Sequence, residues 1–143
     1  MPATTLADAP VLALTVQPPW SHWLATGIKN IENRTWAPPG NWRGKLVIHA
    51  GKTLDRHGFW FAARLGHRIG EDEVNRGEYL AVADLADVHR AGSDCPPACT
   101  PWGMPGCFHW VLAHVRRLIT VEGHGRQKLF IPPTDVLEQV LTG

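Results

Sequence analysis

Between Trp20 and Trp36 the chain sets a cation, a carboxylate and a guanidinium, Lys29, Glu32 and Arg34, within six residues and directly after Gly27. Charged groups flanked by large aromatics are costly to take out of water unless they neutralise one another. Any fold for this chain must therefore hold the three together or keep them at its rim. Gly27 can end a helix, and Ile28 to Trp36 alternates as a strand, so the charges fall where a helix gives way to a sheet. A separation of two places Glu32 and Arg34 on one strand face. Lys29 has the other parity and joins them only if the chain turns or bulges just after Gly27.

The rest of the chain is punctuated by 14 glycines and 12 prolines in 143 residues. Residues 1–10, with Pro2 and Pro10, read as a loose tail, and 11–143 as a single domain. Val11 to Val16 is an aliphatic run suited to a buried strand, stopped by Pro18 and Pro19. Trp20, Trp23 and Leu24 recur at helical spacing up to Gly27. Ala37 to Asn41 is a turn or exposed loop. Lys45 to Ala50 follows as a strand with Leu46 and Ile48 on one face and Lys45, Val47 and His49 on the other. Thr53 is the expected cap of a helix running to about Leu65, with Leu54, Phe61 and Leu65 on one stripe and Gly66 as its stop.

Tyr79 to Val88 and Phe108 to Ile119 read as long strands, the second anchored by Trp110. Between them, residues 90–107 carry four prolines and all three cysteines and break every pattern, as binding loops and lids often do. A flexible turn at 122–126 and a short strand over Lys128 to Ile131 precede a terminal helix. That helix opens at Pro132-Pro133-Thr134 and carries Val136, Leu137, Val140 and Leu141. Strands outnumber helices, so the pattern gives an α+β fold: a mixed or antiparallel sheet or small β-barrel with two or three short helices.

No stretch reaches the roughly 18–20 apolar residues that a membrane span needs, and an odd cysteine count fits a reducing compartment, so the expected location is cytoplasmic and without a membrane partner. The net charge of +1 argues against a general polyanion binder. Yet residues 29–56 hold six basic side chains against two acidic ones, a local +4 that leaves −3 elsewhere. Such a segment suits oriented approach of an anion, or is simply a solvated surface.

Lys29 can hold a phosphate as a point charge, Arg34 can grip one bidentately, and Trp20 and Trp36 can stack on unpaired bases. Arg43 and Lys45 extend the basic stretch. Together these residues suit single-stranded RNA or a nucleotide. Glu32 can orient the cations, accept from a base edge or act as a general base. The plainer alternative is an ion pair with Lys29 or Arg34 that only neutralises a strand face. A catalytic set would be Lys29, Glu32 and His49. Separately, Cys95, Cys99, Cys107 and His109 offer four soft ligands within fifteen residues. Their spacing matches no standard zinc finger, so unpaired thiols are favoured over a structural zinc, and no cofactor is expected.

Several segments in order resemble the ASCH domain family of PUA-like β-barrels. They are Leu12 to Val16, Gln17-Pro18-Pro19-Trp20, Gly27-Ile28-Lys29-Asn30-Ile31-Glu32-Asn33-Arg34-Thr35-Trp36, and Arg43 to Ala50. Phe108 to Leu112 and Lys128 to Pro132 resemble its closing strands, so the likeness spans most of 11–132. The resemblance implies a PUA-like barrel facing RNA. One branch of the family hydrolyses acetylated cytidine with a proposed threonine nucleophile three residues after the lysine; here that residue is Glu32. Another branch is linked to ribonuclease activity. The resulting expectation is RNA or nucleotide binding in a cleft on the Gly-x-Lys-x-x-Glu-x-Arg motif. The alternatives are a hydrolase using that cleft, ribonuclease before amidohydrolase, and a non-catalytic module whose tryptophan-rich surface meets a protein.

Overall fold

A computed structural model describes residues 9–92, 95–96 and 99–143. The elements are β1 (Leu12–Val16), α1 (Trp20–Thr26), β2 (Ile31–Arg34), a 3-10 turn (Pro39–Asn41), β3 (Lys45–Ala50), α2 (Arg56–Arg64), β4 (Glu78–Arg90), β5 (Phe108–Glu122) and α3 (Thr134–Thr142). The five strands form one curled mixed sheet in the order β1-β3-β4-β5-β2. β1 and β3 run parallel, and every other pairing is antiparallel. The result is the small α+β barrel-like fold expected from the pattern.

The curl has a local cause. β4 and β5 shift register at Tyr79/Ala81, Val82/Asp84 and Leu85/Asp87, and His114 on β5 takes a positive φ of 53°. Bulges of this kind bend strands and increase their twist. The bending brings the two edge strands, β1 and β2, into contact. Arg34 Nη2 on β2 donates to the Thr15 carbonyl on β1 at 2.7 Å. The arginine of the motif thus tethers the two open ends of the half-barrel.

Strand alternation sorts the core into two layers. Leu14, Val16, Leu46, Ile48, Ala83, Leu85, Trp110 and Leu112 fill the concave side together with Leu24 of α1. Ala13, Val47, Tyr79, Val82 and Leu118 pack on the other side against Phe130 and α3, through Val136 and Val140. β3 is therefore buried on both faces along most of its length.

Several details differ from the sequence reading, among them the longer β4 and β5. β2 begins at Ile31, because the Lys29 N–H still bonds to the Trp23 carbonyl at the end of α1 (3.0 Å). α2 begins at Arg56, and Thr53 does not cap it. Asp55 holds the capping position, but its carboxylate is taken by Trp20 Nε1 at 2.7 Å, and Leu65 lies exposed at the helix end. The short strand over Lys128 to Ile131 reduces to one bridge, Ala13 to Phe130, because Lys128 sits at φ 57° and cannot continue a ladder. On α3, Leu141 is exposed. Of the expected tail, residues 1–8 lie outside the described residues, while Ala9 is buried and the Pro10 carbonyl accepts from Trp42 Nε1 at 3.1 Å. Among the described residues no helix is long and apolar enough to cross a membrane.

Candidate functional site

The site starts from Gly27. Its φ of 81° lies in the left-handed region, and its N–H returns to the Leu24 carbonyl, which closes α1. A side chain there would also press on Val115 Cγ1 at 3.0 Å. The turn that follows overcomes the parity of Lys29. Lys29 Nζ donates to the Ile31 carbonyl and reaches Glu32 Oε1 at 3.4 Å, while Arg34 Nε donates to Glu32 Oε2 at 3.0 Å. Each oxygen of Glu32 therefore faces its own cation.

Lys29 and Glu32 are only 4% and 6% exposed, so this is a buried ion cluster and not a solvated pair. Burial holds the Lys29 amine below the ordinary lysine range, against the opposing pull of Glu32. The ammonium also stands 5.3 Å from the centre of the Trp20 ring, where the ring face favours a cation.

These groups lie at a cleft of about 280 Å³ lined by Trp20, Lys29, Glu32, Asn33, Asp55, His57 and Met104. The segment between β4 and β5 supplies one wall. Asn33 pins it, with Nδ2 donating to the Trp102 carbonyl at 3.0 Å and Oδ1 accepting from the Met104 N–H at 2.8 Å. Trp102 Nε1 adds a bond to the Ile28 carbonyl at 3.1 Å.

The remaining sequence candidates lie elsewhere. His49 lines a separate cavity of about 460 Å³ with Thr15, Lys52, His124 and Arg126. Both its ring nitrogens are occupied, Nε2 donating to the Gly123 carbonyl at 2.8 Å and Nδ1 meeting the Thr15 hydroxyl at 3.1 Å. Burial lowers its basicity. Lys29, Glu32 and His49 therefore do not converge on one reacting centre. Trp36 packs edge-on to Trp110 with ring centroids 4.9 Å apart, under Lys128. Arg43 turns to the Trp42 carbonyl. Lys45 pairs with Asp84 at 2.8 Å, at the opposite end of β3 from His49. The basic stretch that looked continuous in sequence is thus divided in space.

Asn33, Asp55, His57 and Met104 were missed. Asn33 sits inside the motif and is a readable signal; Met104 comes from the irregular segment, where no periodicity announces it. Among the cysteine-segment candidates, Cys95, Cys99 and His109 converge, Cys107 does not, and His89 from β4 takes the fourth place. Compared with known families, residues 14–122 match the model of the ASCH domain, from within β1 to the end of β5. No curated protein matches the chain.

Proposed function

The chain belongs to the ASCH domain family, a generally RNA-binding-like group, and from that premise we propose that its cleft receives one unstacked base of a single-stranded RNA or of a free nucleotide. The observation that carries this reading is the ion-paired Lys29–Glu32–Arg34 cluster beside the Trp20 ring. It presents a fixed ammonium and a fixed carboxylate in a partly aromatic cleft, which is what the mixed donors and acceptors of a base edge require. The volume of about 280 Å³ suits a single base and excludes a duplex.

Phosphates belong outside this cleft, because its lining includes two carboxylates, Glu32 and Asp55, and one lysine. The neighbouring cavity offers Lys52 and Arg126 with no carboxylate. Thr15 connects the two places, its carbonyl accepting from Arg34 and its hydroxyl meeting His49. Backbone contacts there would be few, so affinity would fall only modestly with salt. Hydrolysis in the same cleft has less support, since Glu32 is held by two cations and His49 faces away. A protein-binding tryptophan surface has less still: of seven tryptophans only Trp60 is exposed.

Titration of fluorescently labelled single-stranded and duplex RNA tests this reading. The wild-type chain should prefer the single strand. Lys29→Met and His57→Ala should each weaken binding by about tenfold, within the ~1–3 kcal/mol that a charged hydrogen bond or a base stack carries. A Lys52→Ala/Arg126→Ala chain should bind with a flatter salt dependence. Equal affinity for duplex, or unchanged affinity in all the variants, would overturn the proposal.

A further inference from the structure

At the end of β4, His89 stands directly opposite His109 of β5 in the antiparallel register, with ring centroids 5.2 Å apart. The connection between the strands brings Cys95 and Cys99 against this pair. His89 Nε2 lies 3.2 Å from Cys95 Sγ and 3.2 Å from Cys99 Sγ, and His109 Nδ1 lies 3.2 Å from Cys95 Sγ. All four ligand atoms fall within 4.8 Å of one another.

The second nitrogen of each ring fixes what the first can do. His109 Nε2 faces the Met104 carbonyl at 2.7 Å. A carbonyl only accepts, so Nε2 carries the proton and Nδ1 turns its lone pair to sulfur. His89 Nδ1 faces the Asp87 carboxylate at 2.8 Å, which leaves the Nε2 lone pair for the two cysteines. An imidazole held from behind by a carboxylate or carbonyl is the usual outer support of a metal-bound histidine, and here both rings have one.

We propose that His89, Cys95, Cys99 and His109 bind one zinc ion as a tetrahedral structural site. Zinc bonds of about 2.3 Å to sulfur and about 2.0 Å to nitrogen set ligand-to-ligand distances of roughly 3.3–3.8 Å, close to those already present. Two thiolates balance the dication, so the complex is neutral at a site where Cys99 and His109 are buried and His89 and Cys95 half-buried. Two sulfurs with two imidazole nitrogens in tetrahedral array is a zinc donor set. The spacing, His-x5-Cys-x3-Cys-x9-His, joins two strand residues to two from the connection. Gly103 makes room for it: a Cβ there would come 2.6 Å from His109 Cε1.

The ion would act as a staple for the cleft. Met104 accepts from His109, donates its N–H to Asn33 Oδ1 and lines the cleft itself. Fixing His109 fixes that wall from behind. The zinc assignment stands whatever the cleft binds.

Two measurements on the full chain test it: metal content after expression with added zinc, and cobalt(II) titration of reduced, chelator-treated protein. The expected results are one zinc per chain and a cobalt spectrum with tetrahedral d–d bands and thiolate-to-metal charge transfer. Cys107→Ser should keep both, and Cys95→Ser should lose charge-transfer intensity. Asp87→Asn, at an exposed position, should weaken zinc binding by about 10- to 100-fold. A wild-type chain that takes up no zinc and shows no thiolate–cobalt band overturns the proposal. So does a band abolished by Cys107→Ser, or a Cys95–Cys99 disulfide whose reduction fails to restore metal binding. Should Cys95→Ser not fold, the wild-type spectrum set against that of Cys107→Ser decides.

Discussion

Two largely buried polar clusters meet at Met104, and they offset charge by opposite routes. Lys29, Glu32 and Arg34 come from six consecutive residues, and one carboxylate pairs with both cations through contacts of 3.0–3.4 Å. His89, Cys95, Cys99 and His109 come from two strands and the connection between them, and on our proposal they reach balance only by taking up a cation. The first cluster is part of how the chain folds, because Arg34 also ties β2 to β1. The second acts on the connection between β4 and β5, which Asn33 also pins from the cleft side. A self-sufficient cluster should therefore respond to loss of a member, and a dependent one to loss of the ion.

Glu32→Ala is the strongest way to break that distinction. It removes the only carboxylate that Lys29 and Arg34 contact among the described residues and leaves a buried ammonium without that counter-charge. The expected cost is about 3–5 kcal/mol in urea unfolding, the usual penalty for removing one partner of a buried pair. A loss below ~1 kcal/mol would mean that the cluster behaves as a surface pair, and the contrast with the second cluster would fail.

Gly103→Ala probes the other side with a smaller effect. The added methyl would meet the His109 ring and the Cys99 carbonyl, the latter at 3.1 Å, so the segment must move away. Overpacking of this kind costs about 1–3 kcal/mol. The sharper readout is thermal unfolding with and without a chelator. The wild-type chain should lose stability when the ion is removed, and Gly103→Ala should already have lost most of that difference. Equal chelator effects in both chains would separate the segment's packing from the metal.

The two clusters also differ in how far the sequence revealed them. The charged motif was legible because its members are neighbours and Gly27 marks the turn that gathers them. The aliphatic run over Val11 to Val16 likewise announced a buried strand, and the alternation along Lys45 to Ala50 set Leu46 and Ile48 apart from Val47, which pack in different layers. His89 stayed hidden because it lies on a strand and meets Cys95 and Cys99 only through cross-strand pairing with His109. The same limit misjudged the basic stretch. Lys45 pairs with Asp84 at the start of β3, whereas Lys52 lines the cavity beyond its end, so charges that sum in sequence do not share a surface. Asp55 was legible neither as the residue at the start of α2, a place the pattern gave to Thr53, nor as the partner of Trp20, since that bond spans 35 positions.

The smallest expected effect separates the clusters by pH. Zinc ligands must be deprotonated, so the stability that metal supplies should fade as pH drops, and a chelator should remove that acid limb. Lys29 acts at the other end of the scale. Burial depresses its basicity in the folded chain, whereas the unfolded chain keeps the proton up to about the ordinary value of 10.5. Between those two points the unfolded state binds more protons, so stability contributed through Lys29 rises with pH, by at most about 1.4 kcal/mol per pH unit. Tyr79 tilts the same alkaline range the other way, because burial raises its hydroxyl above the usual tyrosine value. The difference between wild type and Lys29→Met cancels that contribution, since Tyr79 is common to both. Urea unfolding from pH 7 upward should show the wild-type chain gaining on Lys29→Met as pH rises, with the same result whether or not chelator is present. A difference that stays flat with pH would show that Glu32 and the Ile31 carbonyl compensate Lys29 fully. A difference that vanishes with chelator would show that the two clusters titrate as one unit through Met104.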